Sequence, residues 1–329
     1  VKNIFITGGC GYVGSRLALT LDKPGYQVHI IDIVSPGERN IKFPSHFKVT
    51  TGDLRNKDCV KNSLDGIDLV IHLAADVGPI GYMHEYQAEI LANNMSIDSL
   101  LYPEAVRAGV KTIVYSSSSM VYQHANGYPY KESQLNQISP PSNVYGLSKL
   151  VGEYFCRSFH DQYGLNSAVI RYHNIYGPGE DSKGSTPADI HVIPALIEKV
   201  LRGQYPLELL GKPEATRPFT YIDDAVEATK MVVEKAIEGD TQVLNNDFDI
   251  GPKEATRIID LAQLIWKLLG DGRKFEYIVK ETKFDTSIRR EMDPTKIETL
   301  LGWKPNIKLE DGILKTAEWI KNLGKVTKS

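Results

Sequence analysis

The chain has 329 residues, 42% of them hydrophobic, and a net charge of -3, enough apolar material for one large or two ordinary domains and too little positive charge for a nucleic-acid or membrane surface as main partner. No run approaches the roughly 18 apolar residues of a membrane span, and the apolar start at residues 4–6 is too short for a signal peptide. Cys10, Cys59 and Cys156 form neither a CxxC nor an even framework, and the eight histidines lack ligand spacing, so the expectation is a soluble, cytoplasmic protein without metal.

Residues 2–7 read as a short buried strand, followed by Gly8-Gly9-Cys10-Gly11-Tyr12-Val13-Gly14 and an amphipathic run through Leu21. Strand, glycine turn and helix in that order predict a phosphate cradle, because free N–H groups and the dipole at the helix N-terminus favour anions. The glycines fit both G-x-x-G-x-x-G (Gly8, Gly11, Gly14) and G-x-G-x-x-G (Gly9, Gly11, Gly14). A second strand at 27–31 ends in Asp32, eighteen positions after Gly14. A carboxylate there accepts both ribose hydroxyls and repels a 2′-phosphate, so NAD is expected over NADP, with Arg39 a little downstream.

A third strand, 47–51, brings Asp53 and Leu54 to where an adenine would lie. The fourth, 69–75, ends in Leu73, Ala74 and Ala75, small enough to let a cofactor pass over the strand tip. A helical stretch, 85–108, carries Asn93 and Asn94, and a fifth strand, 112–115, leads into the serines 116–119. After a turn-rich stretch at 137–143 comes a long helix with Tyr145 and Lys149, then a sixth strand at 166–172. This rhythm means an α/β protein with a doubly wound parallel sheet, whose ligands collect beyond the carboxyl ends of the strands.

Four residues apart on a helix, Tyr145 and Lys149 share one face. A free phenol has a pKa of about 10. A neighbouring ammonium in a partly dry site stabilises the phenolate and moves it toward the neutrality that a general base needs.

In the second half, 190–202 reads as a helix and 204–211 as a strand and turn that would cradle a nucleotide base. Residues 220–222 and the helix 224–236 return to the first unit, which makes the two domains interleave: 1–175 with a segment near 219–250, and 176–329. Amphipathic helices at 256–269 and 310–320 serve as core and cap, and 325–329 is a solvated tail.

Glycine motif, strand-end aspartate, serine cluster and Tyr-x-x-x-Lys, in this order, resemble an extended short-chain dehydrogenase/reductase with a Rossmann sheet. Residues 171–179, 217–224 and 301–305 narrow the resemblance to the NAD-dependent nucleotide-sugar epimerase/dehydratase family, over nearly the whole chain. The resemblance implies Tyr145 as base, Lys149 as its electrostatic helper and nicotinamide-ribose ligand, and Ser118, the third serine, as the hydroxyl that bonds the substrate oxygen. It implies cofactor contacts at Gly8, Gly11, Tyr12, Val13, Gly14, Asp32, Asp53, Leu54, Leu73, Ala74, Ala75 and Asn93, with His173 beside the nicotinamide. The sugar nucleotide would meet Asn174, Val192, Arg217 and Arg290, the last preferred over Arg289, since guanidinium forks suit phosphate. Members of the family often dimerise through the helix that carries the Tyr-Lys pair, so a homodimer is expected.

The positions after Ser118 separate the reactions. Dehydratases of the family carry an Asp-Glu pair there and decarboxylases a glutamate at the second position, whereas this chain has Ser119 and Met120, neither an acid near neutrality. The 4-epimerase layout remains: Tyr145 takes the proton of the sugar 4-hydroxyl, the C4 hydride passes to NAD, the 4-ketone rotates, and the hydride returns to its other face. A UDP-sugar is the expected substrate. The alternatives are a dehydrogenase or ketoreductase that releases its cofactor, and a GDP-sugar epimerase. Residues 76–83 and 173–178 also resemble the GDP-mannose 3,5-epimerases, whose acid and base are a cysteine and a lysine; Met120 stands at the cysteine position and Lys183 near the lysine's. His173 replaces the usual phenylalanine, and Pro218 the usual polar residue after Arg217.

Overall fold

The computed structural model describes residues 1–180, 190–282 and 288–323. Lys183 and the tail at 325–329 lie outside the described residues. The first unit alternates β1 (Lys2–Thr7), α1 (Tyr12–Thr20), β2 (Tyr26–Asp32), β3 (Lys48–Thr51), α2 (Lys57–Ser63), β4 (Leu69–His72), α3 (Ile80–Glu85), α4 (Gln87–Ala108), β5 (Thr112–Ser118), α5 (Val144–Tyr163) and β6 (Asn166–Tyr172). Beyond it come α6 (Val192–Leu201), α7 (Ile222–Glu238), β7 (Asn246–Ile250), α8 (Ile258–Leu269), α9 (Thr295–Leu301) and α10 (Leu309–Asn322).

The sheet is parallel throughout, in the order β7-β6-β5-β4-β1-β2-β3. Both faces are covered, as parallel sheets require. Ile4, Ile6, Val28, Ile30, Ile71, Val114 and Ile170 point into one core, and their alternates Phe5, Ile31, Val70, Ile113 and Val169 into the other. Strand order reverses between β1 and β4, and that switch point is where a doubly wound sheet opens a crevice.

Several elements differ from the sequence reading. β7 is a strand the pattern does not announce, because Asp247 and Asp249 interrupt its apolar run; it pairs with β6 from Asn246↔Ala168 to Ile250↔Tyr172. β5 runs on through Ser118, which pairs with Tyr172, so the serines finish a strand rather than form a loop. Its neighbour β4 stops at His72, three residues early. α2, α3 and α9 are short helices that the periodicity leaves out; the Asn56 side chain caps α2 by accepting from Asp58 N at 2.9 Å and Cys59 N at 3.2 Å.

α7 packs on α1, and β7 then joins the sheet beside β6. α6, α8, α10 and the parallel pair Leu207–Leu210 with Tyr277–Lys280 build the smaller unit. The Asp224 carboxylate, at the start of α7, accepts from Asn306 N and Ile307 N at 3.0 Å each and fastens the C-terminal segment to the first turn of that helix.

Candidate active site

A cavity of about 1460 Å³ opens over the carboxyl ends of the strands and reaches into the smaller unit. Its floor is the glycine turn. Gly8 has φ +67, and a methyl there would lie 2.9 Å from Ala74 N; one on Gly14 would lie 2.3 Å from Gly8 O. Side chains are thus excluded where a pyrophosphate has to meet backbone amides at the start of α1. Asp32, at the end of β2, accepts from Cys10 N at 2.9 Å and Val34 N at 3.0 Å, which turns its carboxylate to the cavity edge. These features fit NAD.

Further along the wall, Arg55 binds Asp53 and donates to Asn93 Oδ1 at 2.6 Å, and Asn93 donates to Asp76 Oδ2 at 2.9 Å. The Arg55 hydrogen bonds hold the Asp53 carboxyl below its usual range. Arg55 and Asp76 line the cavity and were not singled out from the sequence as site residues; each is tied to an expected contact, which only the fold reveals.

α5 starts where Asn143 accepts from Gly146 N at 3.1 Å, and its first turns present Tyr145 and Lys149 to the same wall as Ser118. Lys149 is 3% exposed; its ammonium donates to Ser116 O at 2.7 Å and stands 5.0 Å from the centre of the Tyr115 ring. Burial pushes Lys149 down to about 8, opposed by the charges of Asp98 and Glu153. Burial pushes Tyr145 up to about 12, with a hydrogen bond to Ser118 working the other way. Burial dominates the phenol, and the ammonium is engaged by Ser116 O.

At the other end, Arg217 and Arg290 line the cavity together. Burial, then the charge of Arg290, pushes Arg217 down to about 9, and burial also lowers Arg290. Among the described residues, no acid stands among the groups that act on either. Arg289 instead pairs with Glu291 at 2.7 Å and lies over Tyr128. Asn174, at φ +35, keeps its side-chain Oδ1 buried without a partner among the described residues. Val192 opens α6 against the same space.

Every other expected contact lines this cavity: Gly8, Gly11, Tyr12, Val13, Gly14, Asp53, Leu54, Leu73, Ala74, Ala75 and Asn93. His173 does not. It is fully buried, with Nε2 3.4 Å from Asp249 Oδ1 and its amide donating to Ile250 O. Tyr172 and Asn174 face the cavity, so the residue between them faces away, into β7. The fold therefore does not bring it to the cavity wall.

A doubly wound sheet with a glycine cradle, a strand-end acid and a Tyr-Lys pair at its carboxyl edge defines a dinucleotide-dependent enzyme. The sequence profile of the NAD dependent epimerase/dehydratase family matches residues 4–251, and the chain belongs to that family, with NAD as its cofactor. It is 32% identical to a putative UDP-glucose 4-epimerase of Methanocaldococcus jannaschii, over 97% of this chain and 98% of the relative. It is 31% identical to GDP-mannose 3,5-epimerase 1 of rice, over 97% of this chain and 81% of the relative. UDP-glucuronic acid decarboxylases also stand among its relatives, at 28%. The UDP-glucuronic acid 4-epimerase of Bacillus cereus, solved with UDP-glucuronic acid and NAD, superposes with a TM-score of 0.82 at 26% identity, over 98% of this chain and 99% of that one. No helix among the described residues is long and apolar enough to cross a membrane.

Proposed function

We propose that the protein is a nucleotide-sugar 4-epimerase that acts through a 4-keto sugar, with a UDP-hexose as substrate. The observation that carries this reading is the cavity wall around Tyr145: Ser118, Ser119 and Met120 stand beside it, and none supplies the second acid that dehydration or decarboxylation needs. Likeness to the Methanocaldococcus jannaschii protein supports it. Residues 1–175 with 219–250 hold the cofactor in this reading, and 176–329 the sugar nucleotide. NAD, when bound, supplies the hydride acceptor and donor for C4. Tyr145 takes the 4-hydroxyl proton and gives it back to the inverted oxygen, Ser118 holds that oxygen, and Lys149 offsets the phenolate charge. Arg217 and Arg290, two buried cations on which no acid acts among the described residues, take the diphosphate.

A GDP-sugar and proton exchange at C3 and C5 form the second reading, favoured by the likeness to the rice enzyme. Residues 76–80 and Met83 lie on the cavity wall in the stretch that resembles that family. One experiment separates the two: incubation with UDP-, GDP-, CDP- and dTDP-sugars in deuterium oxide, followed by NMR and by absorbance at the NADH band. Hydride return gives a C4 epimer with its carbon-bound hydrogens intact and no lasting NADH. Deuterium at C3 or C5 would favour the second reading, and steady NADH formation would make the enzyme a dehydrogenase.

A further inference from the structure

Behind the cavity wall, Thr7, His72 and Asp98 form a buried row, 0%, 1% and 4% exposed. Thr7 Oγ1 accepts from Leu73 N at 3.2 Å and Ala74 N at 3.1 Å, so both its lone pairs are taken. Its proton therefore goes to His72 Nδ1, 2.7 Å away. An imidazole that accepts at Nδ1 carries its proton at Nε2, and that nitrogen is 2.9 Å from Asp98 Oδ1. The row has one direction, from hydroxyl to imidazole to carboxylate.

Asp98 sits one turn after Asn94 on α4, and Asn94 Nδ2 donates at 3.0 Å to Ser148 Oγ, the residue before Lys149. The Tyr115 ring lies between the two groups, its centre 5.7 Å from that of His72 and 5.0 Å from the Lys149 ammonium. Of the other charges around Lys149, Glu153 is already met by Arg171 through two bonds of 2.8 Å, and Tyr145, Tyr115, Tyr102 and Cys156 are held protonated by burial. Asp98 is left as the one acid facing Lys149, among the described residues, that no cation neutralises.

We infer that Asp98 is a positioning residue, its carboxylate held as an acceptor by the Thr7-His72 relay so that it supports the buried Lys149 as an ammonium beside Tyr145. The same hydroxyl that starts the relay fixes the Leu73 and Ala74 amides, which form the cavity wall at the tip of β4. The inference deepens the reading above, in which Lys149 assists Tyr145, and ties the charge of that lysine to the strand under the cofactor.

The test is carbon-13 NMR of protein labelled at lysine Cε, with the Lys149 signal identified by its loss in Lys149→Arg. Wild-type Lys149 should titrate near the value of about 8 that its surroundings give it. Asp98→Asn keeps the shape and removes the charge, and should lower that midpoint by about one pH unit, while Asp98→Glu restores it. A merely structural Asp98 would lower the melting temperature and leave the midpoint where it was, which overturns the inference. If Asp98→Asn does not fold, nitrogen-15 NMR of wild-type His72 decides: the Nε2-protonated neutral ring supports the relay, and an Nδ1-protonated ring or an imidazolium overturns it. Neither readout needs a substrate, so a failure to turn over any nucleotide sugar would remove the functional reading without touching this one.

Discussion

The Arg171 guanidinium meets the Glu153 carboxylate in two parallel bonds of 2.8 Å, Nε to Oε1 and Nη2 to Oε2, with both side chains sealed from solvent. Ser117 donates to the same Oε1 at 2.6 Å, so the ion pair also holds the strand that ends in Ser118. Breaking it from one side leaves a buried charge without its main partner. Glu153→Ala should cost about 3–5 kcal/mol in urea unfolding. Replacing both partners together, Glu153→Leu with Arg171→Met, should recover part of that loss. Equal stability of the single variant and the wild type would mean that Asp247, 2.6 Å from Arg171 Nη2, suffices alone.

Glu132 shares the buried polar region next to β7, where burial first and the Asp249 charge second raise its carboxyl from 4.5 to about 7. The folded chain holds this proton more tightly than the unfolded one. Its contribution to stability is therefore complete below the unfolded value and fades as pH rises through the folded one, with a ceiling of about 3 kcal/mol. Partial exposure and Lys296 reduce that figure. Glu132→Gln should raise unfolding stability by about 1–2 kcal/mol near pH 8 and change little near pH 4. A variant no more stable than wild type at the higher pH would show that the carboxylate ionises freely.

What the sequence makes legible here is what is local. The glycine turn, the Asp32 strand end and the Tyr145-Lys149 spacing each lie within one strand-turn-helix unit or one helical turn, and their residues reach the cavity as read. β7 is not local. Its aspartates look like breakers until Arg171 and His173 of β6 and its exit, and Tyr122 beyond β5, are brought against them; Tyr122 donates to Asp249 Oδ2 at 2.9 Å. His173 is turned from the cavity wall toward a partner on the strand that the pattern hides. The phenol at about 12 is a third case: spacing reports that a cation is near, and burial decides which way the proton goes.

Arg217 and Arg290 oppose each other in a buried wall, and among the described residues no acid acts on either. Relief of that repulsion should make Arg290→Met at least as stable as wild type without ligand. The same change should weaken UDP binding by about ten- to a hundredfold, the worth of one or two charge-assisted hydrogen bonds. Titration calorimetry reads both the affinity and its decline with salt. Arg289→Met serves as the control, because that side chain is exposed and already paired with Glu291. Equal losses in the two variants would place the diphosphate elsewhere.

Asp32 should decide between the two dinucleotides by charge and by fixed orientation. Cys10 N and Val34 N each hold one of its oxygens, so the carboxylate cannot swing away from an incoming 2′-phosphate, and like charges at the cavity edge repel. In Asp32→Asn the repulsion goes and one amide then faces an NH2 group that cannot accept its hydrogen bond. NAD should bind more weakly and NADP more tightly, shifting the ratio of their dissociation constants by about tenfold or more, one such step being near 1.4 kcal/mol. Quenching of intrinsic fluorescence on titration with each dinucleotide measures the ratio. An unchanged preference would mean that discrimination rests on another group near the ribose, with Glu38, on the same stretch of wall, as the first to replace.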